Sequence, residues 1–416
     1  MSEGKALVPR LRFPEFREVG KWQQSTLEQL VVMRSGGTPS KANPEFWNGS
    51  IPWVSAKDMK QFFLEDTEDH ISTAAVDEGA KLVPTGTLLM LTRGMTLLKD
   101  VPICVLRRKM SFNQDVKALR PKKDVDGLFL GLLLLGNKHR LLKMVDIAGH
   151  GTGRLNTDKL KGLELLLPQP AEQQRIANCL SSLDALIAAQ ADKIDALKTH
   201  KKGLMQQLFP REGETVPRLR FPEFREAGEW KFTKAKYLFS NRVEHGEDGL
   251  PIYSVTMNNG LAKRDSLDRK IDDISHSTGN KKVHKHDIAY NMMRMWQGAS
   301  GVAIEDCMVS PAYVILAPSD GVCAEFYGYF LKLPQSLQVL TAHSQGLTKD
   351  RLRLYYKDFA QIPLPQPTLG EQQKIANCLS SLDALIATQA DKLDALKTHK
   401  KGLMQQLFPG PEAVAA

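Results

Sequence analysis

The chain has 416 residues, too many for one ordinary core and enough for two domains with connectors. Apolar content of 42% and charged content of 25% fit a soluble globular protein, and the net charge of +9 leans towards a polyanionic partner. Five isolated cysteines (Cys104, Cys179, Cys307, Cys323, Cys378) without a CxxC exclude a disulfide scaffold or zinc ribbon and point to free buried thiols in a reducing, cytoplasmic setting.

Taken in chain order, residues 1–22 form an opening segment with no apolar stretch of the signal-peptide kind. It contains VPRLRFPEFRE (8–18), which returns letter for letter at 216–226. Leu, Phe and Pro spaced among Arg and Glu suit an extended segment clamped on a constant surface, expected at the end of the long helices described below. Residues 23–166 are a first variable domain with an α+β pattern, its strands expected at 87–94 and 103–108. The apolar run 128–135 is too short to span a bilayer. Two polar, basic loops stand out: MRSGGTPSK (33–41) and GHGTGRLNTDKLKG (149–162).

Residues 167–210 follow as a long helix, opened by LPQP (167–170), with Pro168 and Pro170 expected to block helix before it. Ile176, Leu180, Leu183, Ile187, Gln190, Ile194, Leu197, Leu204 and Leu208 step by alternating fours and threes, with Lys201 filling the remaining place: an a/d heptad seam. After a linker and the repeated opening segment (211–230) comes a second variable domain, 231–363, unlike the first, with strands expected at 287–296 and 312–317. Its basic stretch is HSQGLTKDRLRLYYKD (343–358). A second helix, 364–409, repeats the seam as Ile375, Leu379, Leu382, Ile386, Gln389, Leu393, Leu396, Leu403 and Leu407, with Lys400 in the gap, before a tail at 410–416. Segments 172–210 and 371–409 differ at three of 39 positions. At 1.5 Å per residue each helix would be about 58 Å long.

Such a seam needs a partner, and its own copy is at hand. Parallel pairing would set Lys201 against Lys400, whereas antiparallel pairing places Ile176 against Leu407 and lets Lys201 meet Leu382 and reach outward. The expected fold is therefore α+β: two globular recognition domains joined by two long helices in an antiparallel coiled coil, a tandem repeat with a pseudo-twofold axis.

Tests for catalysis return little. NPEF (43–46) resembles an amino-methyltransferase motif but carries Glu45 where that motif has proline, so it reads as a turn. There is no GxxxxGK[ST] phosphate loop. His284-Lys285-His286-Asp287 lacks a further ligand cluster and reads as a solvated, basic start to a strand, not as a metal site. Hydroxyl, amide and guanidinium donors on Gly- and Thr-rich loops suit phosphates and base edges. The candidate DNA-contacting residues are Ser35, Thr38, Ser40, Lys41, Lys57, Arg93, His150, Thr152 and Arg154 in the first domain. In the second they are Arg242, Lys263, Arg264, Arg294, Trp296, Gln297, Lys349 and Arg351. Arg93, Arg154, Arg294 and Arg351 read as occupying comparable places in the two halves.

PRLRFPEF, the LPQP…EQQ.IA start of each helix and its KKGLMQQLFP exit resemble the specificity subunits of Type I restriction–modification systems. The resemblance implies a non-catalytic, cytoplasmic subunit that reads a bipartite, asymmetric site on double-stranded DNA, one half-site per recognition domain. It implies that the helices set the spacer and dock two methyltransferase subunits, to which restriction subunits are added. It further implies no cofactor on this chain, with S-adenosylmethionine and ATP/Mg held by partners. Two rivals fit the same residues: a bivalent coiled-coil adaptor that binds no DNA, and a nucleic-acid enzyme with unfamiliar motifs.

Overall fold

Continuous apolar tetrads set the two sheets. In the computed structural model, which describes residues 8–147, 151–257, 260–266, 279–348 and 351–408, Leu88–Leu91 and Ile103–Leu106 are buried at every position. Such strands are covered on both faces. They lie inside a five-stranded sheet whose order is Val31–Ser35, Val116–Pro121, Leu88–Leu91, Ile103–Leu106 and Phe63–Leu64. The apolar run noted above forms the helix Gly127–Gly136 and covers that sheet. Gly131 is required there, because a Cβ would stand 2.7 Å from the Leu88 side chain.

The chain divides into two units: residues 1–190 with 392–416, and residues 191–391. The second unit is built on a four-stranded sheet ordered Phe239–Asn241, Tyr313–Pro318, Ile288–Asn291 and Ser300–Val302, with helix Ala324–Phe330 in its core. Three expected strands are shorter than their sequence suggests, 103–108 ending at Leu106. The stretch 87–94 breaks at Thr92, because the Thr92 and Arg93 amides both donate to the Asp115 carbonyl; Arg93–Gly94 then joins another sheet. The stretch 287–296 ends at Asn291, whose side chain accepts from the Met293 amide and starts a turn into the short helix Met295–Gln297.

The long helices run Pro170–Leu208 and Leu369–Leu407, 39 residues each. Pro170 does not block the first helix but begins it, where a missing N–H costs nothing. Every predicted seam residue, from Ile176 to Leu208 and from Ile375 to Leu407, is buried or half-buried. In the first unit, Ile176, Ala177 and Leu180 share one core with Leu407 and Phe408. In the second, Leu208 and Phe209 share one with Ile375, Ala376 and Leu379.

The repeated opening segment meets both helix ends within its own unit. Arg12 forms a two-pronged pair with Glu172 (2.8 and 2.7 Å), and Arg220 does the same with Glu371 (2.7 and 2.7 Å). These carboxylates are almost wholly buried, with side-chain exposure of 1% each. Trp22 Nε1 also donates to Glu172, and Arg12 donates to the Val19 and Gly20 carbonyls. The backbone completes the clamp: the Leu11 amide donates to Gln406 and the Leu219 amide to Gln207. The segment is not wholly extended, since Pro14–Phe16 and Pro222–Phe224 each make one 3-10 turn.

The residue after each glutamate ties the helix to its sheet domain. Gln173 accepts from the Asp126 amide and donates to Pro168 O; Gln372 accepts from the Cys323 amide and donates to Pro367 O. Pro168 is the first proline of one LPQP and Pro367 the last of the other, so the two tetrapeptides sit two residues out of step. The helices nevertheless start at equivalent positions, Pro170 and Leu369, two residues before Glu172 and Glu371, with Thr368-Leu369-Gly370 standing where Gln169-Pro170-Ala171 stand.

Removing one member of a buried ion pair strands the other, at a cost of about 3–5 kcal/mol. Arg12→Ala is therefore expected to lower the urea midpoint of the first unit's transition by that margin, and the apolar double variant Arg12→Met/Glu172→Leu to recover most of it. Among the cysteines, Cys104 and Cys307 are buried while Cys179, Cys323 and Cys378 are half-buried, so the expectation of five buried thiols holds for two. Burial raises the Cys104 and Cys307 thiols to about 12. Iodoacetamide at pH 8 is expected to modify those two only after unfolding, read by peptide mass mapping.

Candidate nucleic-acid interface

The loop after Val31–Ser35 is held rigidly. Gly36 packs where a Cβ would lie 2.1 Å from Phe112 O, and the Gly37 amide donates to that same carbonyl. Trp53 Nε1 donates to Gly37 O and Trp47 Nε1 to Ser40 O, with the two rings edge to face at 5.0 Å. NPEF is the turn that supplies Trp47: Asn43 caps the short helix Pro44–Trp47 by accepting from the Glu45 amide. This fixed loop presents Ser35, Thr38, Ser40 and Lys41 to solvent. Ser35 accepts from Lys117, and Thr38 donates to Gln114. Lys41 has no ion pair among the described residues.

The remaining candidates separate by electrostatics. Lys57 lies between Asp69 (2.9 Å) and Glu68 (3.0 Å), and hydrogen bonds to these carboxylates, Asp69 first, hold its ammonium protonated well above the usual lysine range. Arg242 is engaged by Asp287 (2.7 Å) and Glu244 (2.7 Å), and Lys263 by Glu305 (3.0 Å). Arg264 is half-buried, and its Nε is enclosed without a hydrogen-bond partner among the described residues. By contrast Arg93, Arg154, Arg294 and Arg351 are all exposed and carry no side-chain hydrogen bond or ion pair among the described residues. Thr152 is half-buried beside Arg154, and Gln297 is exposed. Trp296 is half-buried and donates to Met293 O. His150 and Lys349 lie outside the described residues.

The hydrogen-bond register corrects two equivalences. In the first unit the Leu155 amide donates to Thr92 O at 2.9 Å; in the second the Leu354 amide donates to Met292 O at 3.0 Å. Arg353, not Arg351, therefore stands where Arg154 stands, and Met293 stands where Arg93 does. The Arg351 match is off by two residues, the same slip that misaligns the two LPQP copies, and the Arg294 match by one. The repeated RL pair at 351–352 and 353–354 left both registers open.

The His284–Asp287 stretch leads into the strand Ile288–Asn291 with Lys285 and His286 exposed, as expected, but its two ends are engaged. Asp287 is buried and accepts from Arg242 and the His284 amide, while His284 Nε2 lies 2.7 Å from Glu244. Hydrogen bonds from His284 and then Arg242 hold the Glu244 carboxyl below the usual range. No group of three or more metal-capable side chains occurs among the described residues. No described helix is long and apolar enough to cross a membrane.

What the geometry defines is a duplicated chain: two α+β units, each with exposed arginines that carry no ion pair among the described residues and each containing half of both long helices. The chain belongs to the Type I restriction modification DNA specificity domain family, which it matches over residues 20–199 and again over 223–398. It is 32% identical over 173 residues to the EcoR124I/EcoR124II specificity subunit of Escherichia coli, an alignment covering 41% of this chain and 43% of that protein. The chain thus spans less than half the length of that relative. It is 25% identical over 424 residues to the MjaVIII specificity subunit of Methanocaldococcus jannaschii, covering 96% of this chain and 94% of that one. In fold it is similar to the Type I restriction–modification S subunit of M. genitalium, with a TM-score of 0.57 at 15% identity, covering 97% of this chain and 99% of that one.

The sorting by charge is testable. Each phosphate contact contributes close to one unit to the slope of log affinity against log salt. Arg294→Ala is expected to lower the slope by about 1, whereas Lys57→Ala, its charge already balanced, should leave it within error.

Proposed function

We propose that this chain is the DNA-reading, non-catalytic subunit of a cytoplasmic Type I restriction–modification complex. Residues 23–166 and 231–363 each read one half of a bipartite, asymmetric site on double-stranded DNA. The long helices pair as an antiparallel coiled coil, fix the spacing of the half-sites and dock two methyltransferase subunits, to which restriction subunits are added. The chain holds no cofactor; S-adenosylmethionine and ATP/Mg belong to those partners.

The observation that carries this reading is the contrast between frame and contents. Helix segments that differ at three of 39 positions offer equivalent surfaces to two copies of one partner. The sheet domains between them differ throughout, as two readers of different bases would. Support for antiparallel pairing comes from inside each unit. Lys400, late in the second helix, pairs with Asp184, early in the first, at 2.5 Å. Lys201, late in the first, pairs with Asp383, early in the second, at 2.6 Å. Lys201 thus ends on the carboxylate next to Leu382, so its seam position carries a compensated charge.

A four-residue insertion beside Gln190 shifts the seam by a stutter. In cells, mapping of methylated sites is expected to show a changed spacer or lost assembly with unchanged half-site bases. Altered half-site bases would refute the spacing role. A chain that copurifies with partners but gives no shift of any duplex would instead favour the adaptor reading.

A further inference from the structure

We propose that Arg93 and Arg154 form a two-guanidinium clamp for a single backbone phosphate of duplex DNA, a device the second unit has only in half. The inference rests on the DNA-reading function above and names the group that is gripped.

In the first unit, strand Gly153–Leu155 lies between Val145–Ile147 and Arg93–Gly94, and the antiparallel register sets Arg154 directly opposite Arg93. Directly opposed residues have Cβ atoms about 4.5–5.5 Å apart and project from the same face of the sheet. Both arginines are exposed, and neither has an ion pair or side-chain hydrogen bond among the described residues. The carboxylate in the same row is Asp146, across from Arg154 on its other side. Both of its oxygens are occupied by Lys159, at 2.8 and 2.9 Å. Like charges directly opposed on a strand pair repel, and no described side chain offsets that repulsion. An anion seated between the two does.

The shape of the pair selects the anion. A phosphodiester offers two non-bridging oxygens that share one negative charge, one oxygen for each planar fork. A guanine edge takes the fork of one arginine through O6 and N7 and leaves the second uncompensated. A phosphate therefore satisfies both groups where a base satisfies one.

The second unit supplies the control. Arg353 holds the place of Arg154, but Met293 holds the place of Arg93, at 45% exposure. On its other side Arg353 bridges to Gln345, whose amide is held by Asp358 (3.1 and 2.9 Å). Met293 lies in the turn after strand Ile288–Asn291, so the second unit does not set two arginines side by side on paired strands here.

The test uses the assembled complex, the chain copurified with its methyltransferase subunits, and a fluorescent random-sequence duplex titrated between about 50 and 200 mM salt. Arg93→Met/Arg154→Met is expected to reduce the slope of log affinity against log salt by about 1, the one phosphate lost, and Arg93→Met alone, with Arg154 still on that phosphate, to weaken binding with a smaller change of slope. If the wild-type complex binds steeply but the double variant keeps the same slope, the clamp is overturned while the DNA reading stands. An unchanged slope with an altered base preference likewise overturns it, making the pair a base reader. A wild-type complex that binds no duplex at any of these salt concentrations overturns the DNA reading and the clamp with it.

Discussion

Everything in each unit converges on one buried charge. Glu172 and Glu371 sit in the first turn of a long helix, where the helix dipole favours an anion, yet both are sealed from water. A lone carboxylate there would be severely destabilising. The fork of Arg12 or Arg220 makes the position tenable, and each arginine comes from the opening segment at the far end of its module. The ion pair thus fastens the chain's entrance to a domain, the start of one helix and, through the Leu11 and Leu219 amides, the last turn of the other. The adjacent glutamine then holds the sheet domain. One charge, fully satisfied, registers four pieces of chain against one another, and a buried polar network of that kind favours a single arrangement.

This explains which parts of the sequence repeat. VPRLRFPEFRE and EQQ.IA are the two halves of a single lock, separated by the whole of a variable domain. The domain between them needs only to deliver a strand that pairs with the segment after Trp22 or Trp230, and an amide for Gln173 or Gln372. The two-residue slip of LPQP shows that the lock recognises hydrogen-bond positions and not letters. The readers are free to differ because the frame makes so few demands on them.

The helices were the most legible feature of the sequence. A 3.5-residue heptad period repeated over 39 residues leaves little room for another reading, and every seam position is buried or half-buried. The kind of domain, mixed helix and strand, was legible from its apolar tetrads. Strand ends were not: Thr92 leaves its sheet for a carbonyl far away in sequence, Asp115 O, and no local pattern reports that. The interface was half legible. Arginines on Gly-rich loops were picked out, but Lys57, Arg242 and Lys263 look the same in sequence and are neutralised by carboxylates that only folding brings near. Arg353 was missed because adjacent RL pairs offer two registers, and only the Leu354 hydrogen bond chooses between them. The lock itself was not legible, since Arg12 and Arg220 stand among other repeated charges, Arg10/Arg218, Glu15/Glu223 and Arg17/Arg225, and nothing local marks which one is buried.

The division into units has a consequence for how the molecule comes into being. The second unit is one unbroken stretch, residues 191–391, and contains all it needs once that stretch has left the ribosome. The first unit is not: Leu407 and Phe408 belong to its core, with the Phe408 ring 5.8 Å from that of Phe129 and its edge filling the space above Gly136. Domains ordinarily fold in the order of their synthesis. Here the half that is made first is completed last, and it waits with an open apolar seat until the final helix arrives to close it.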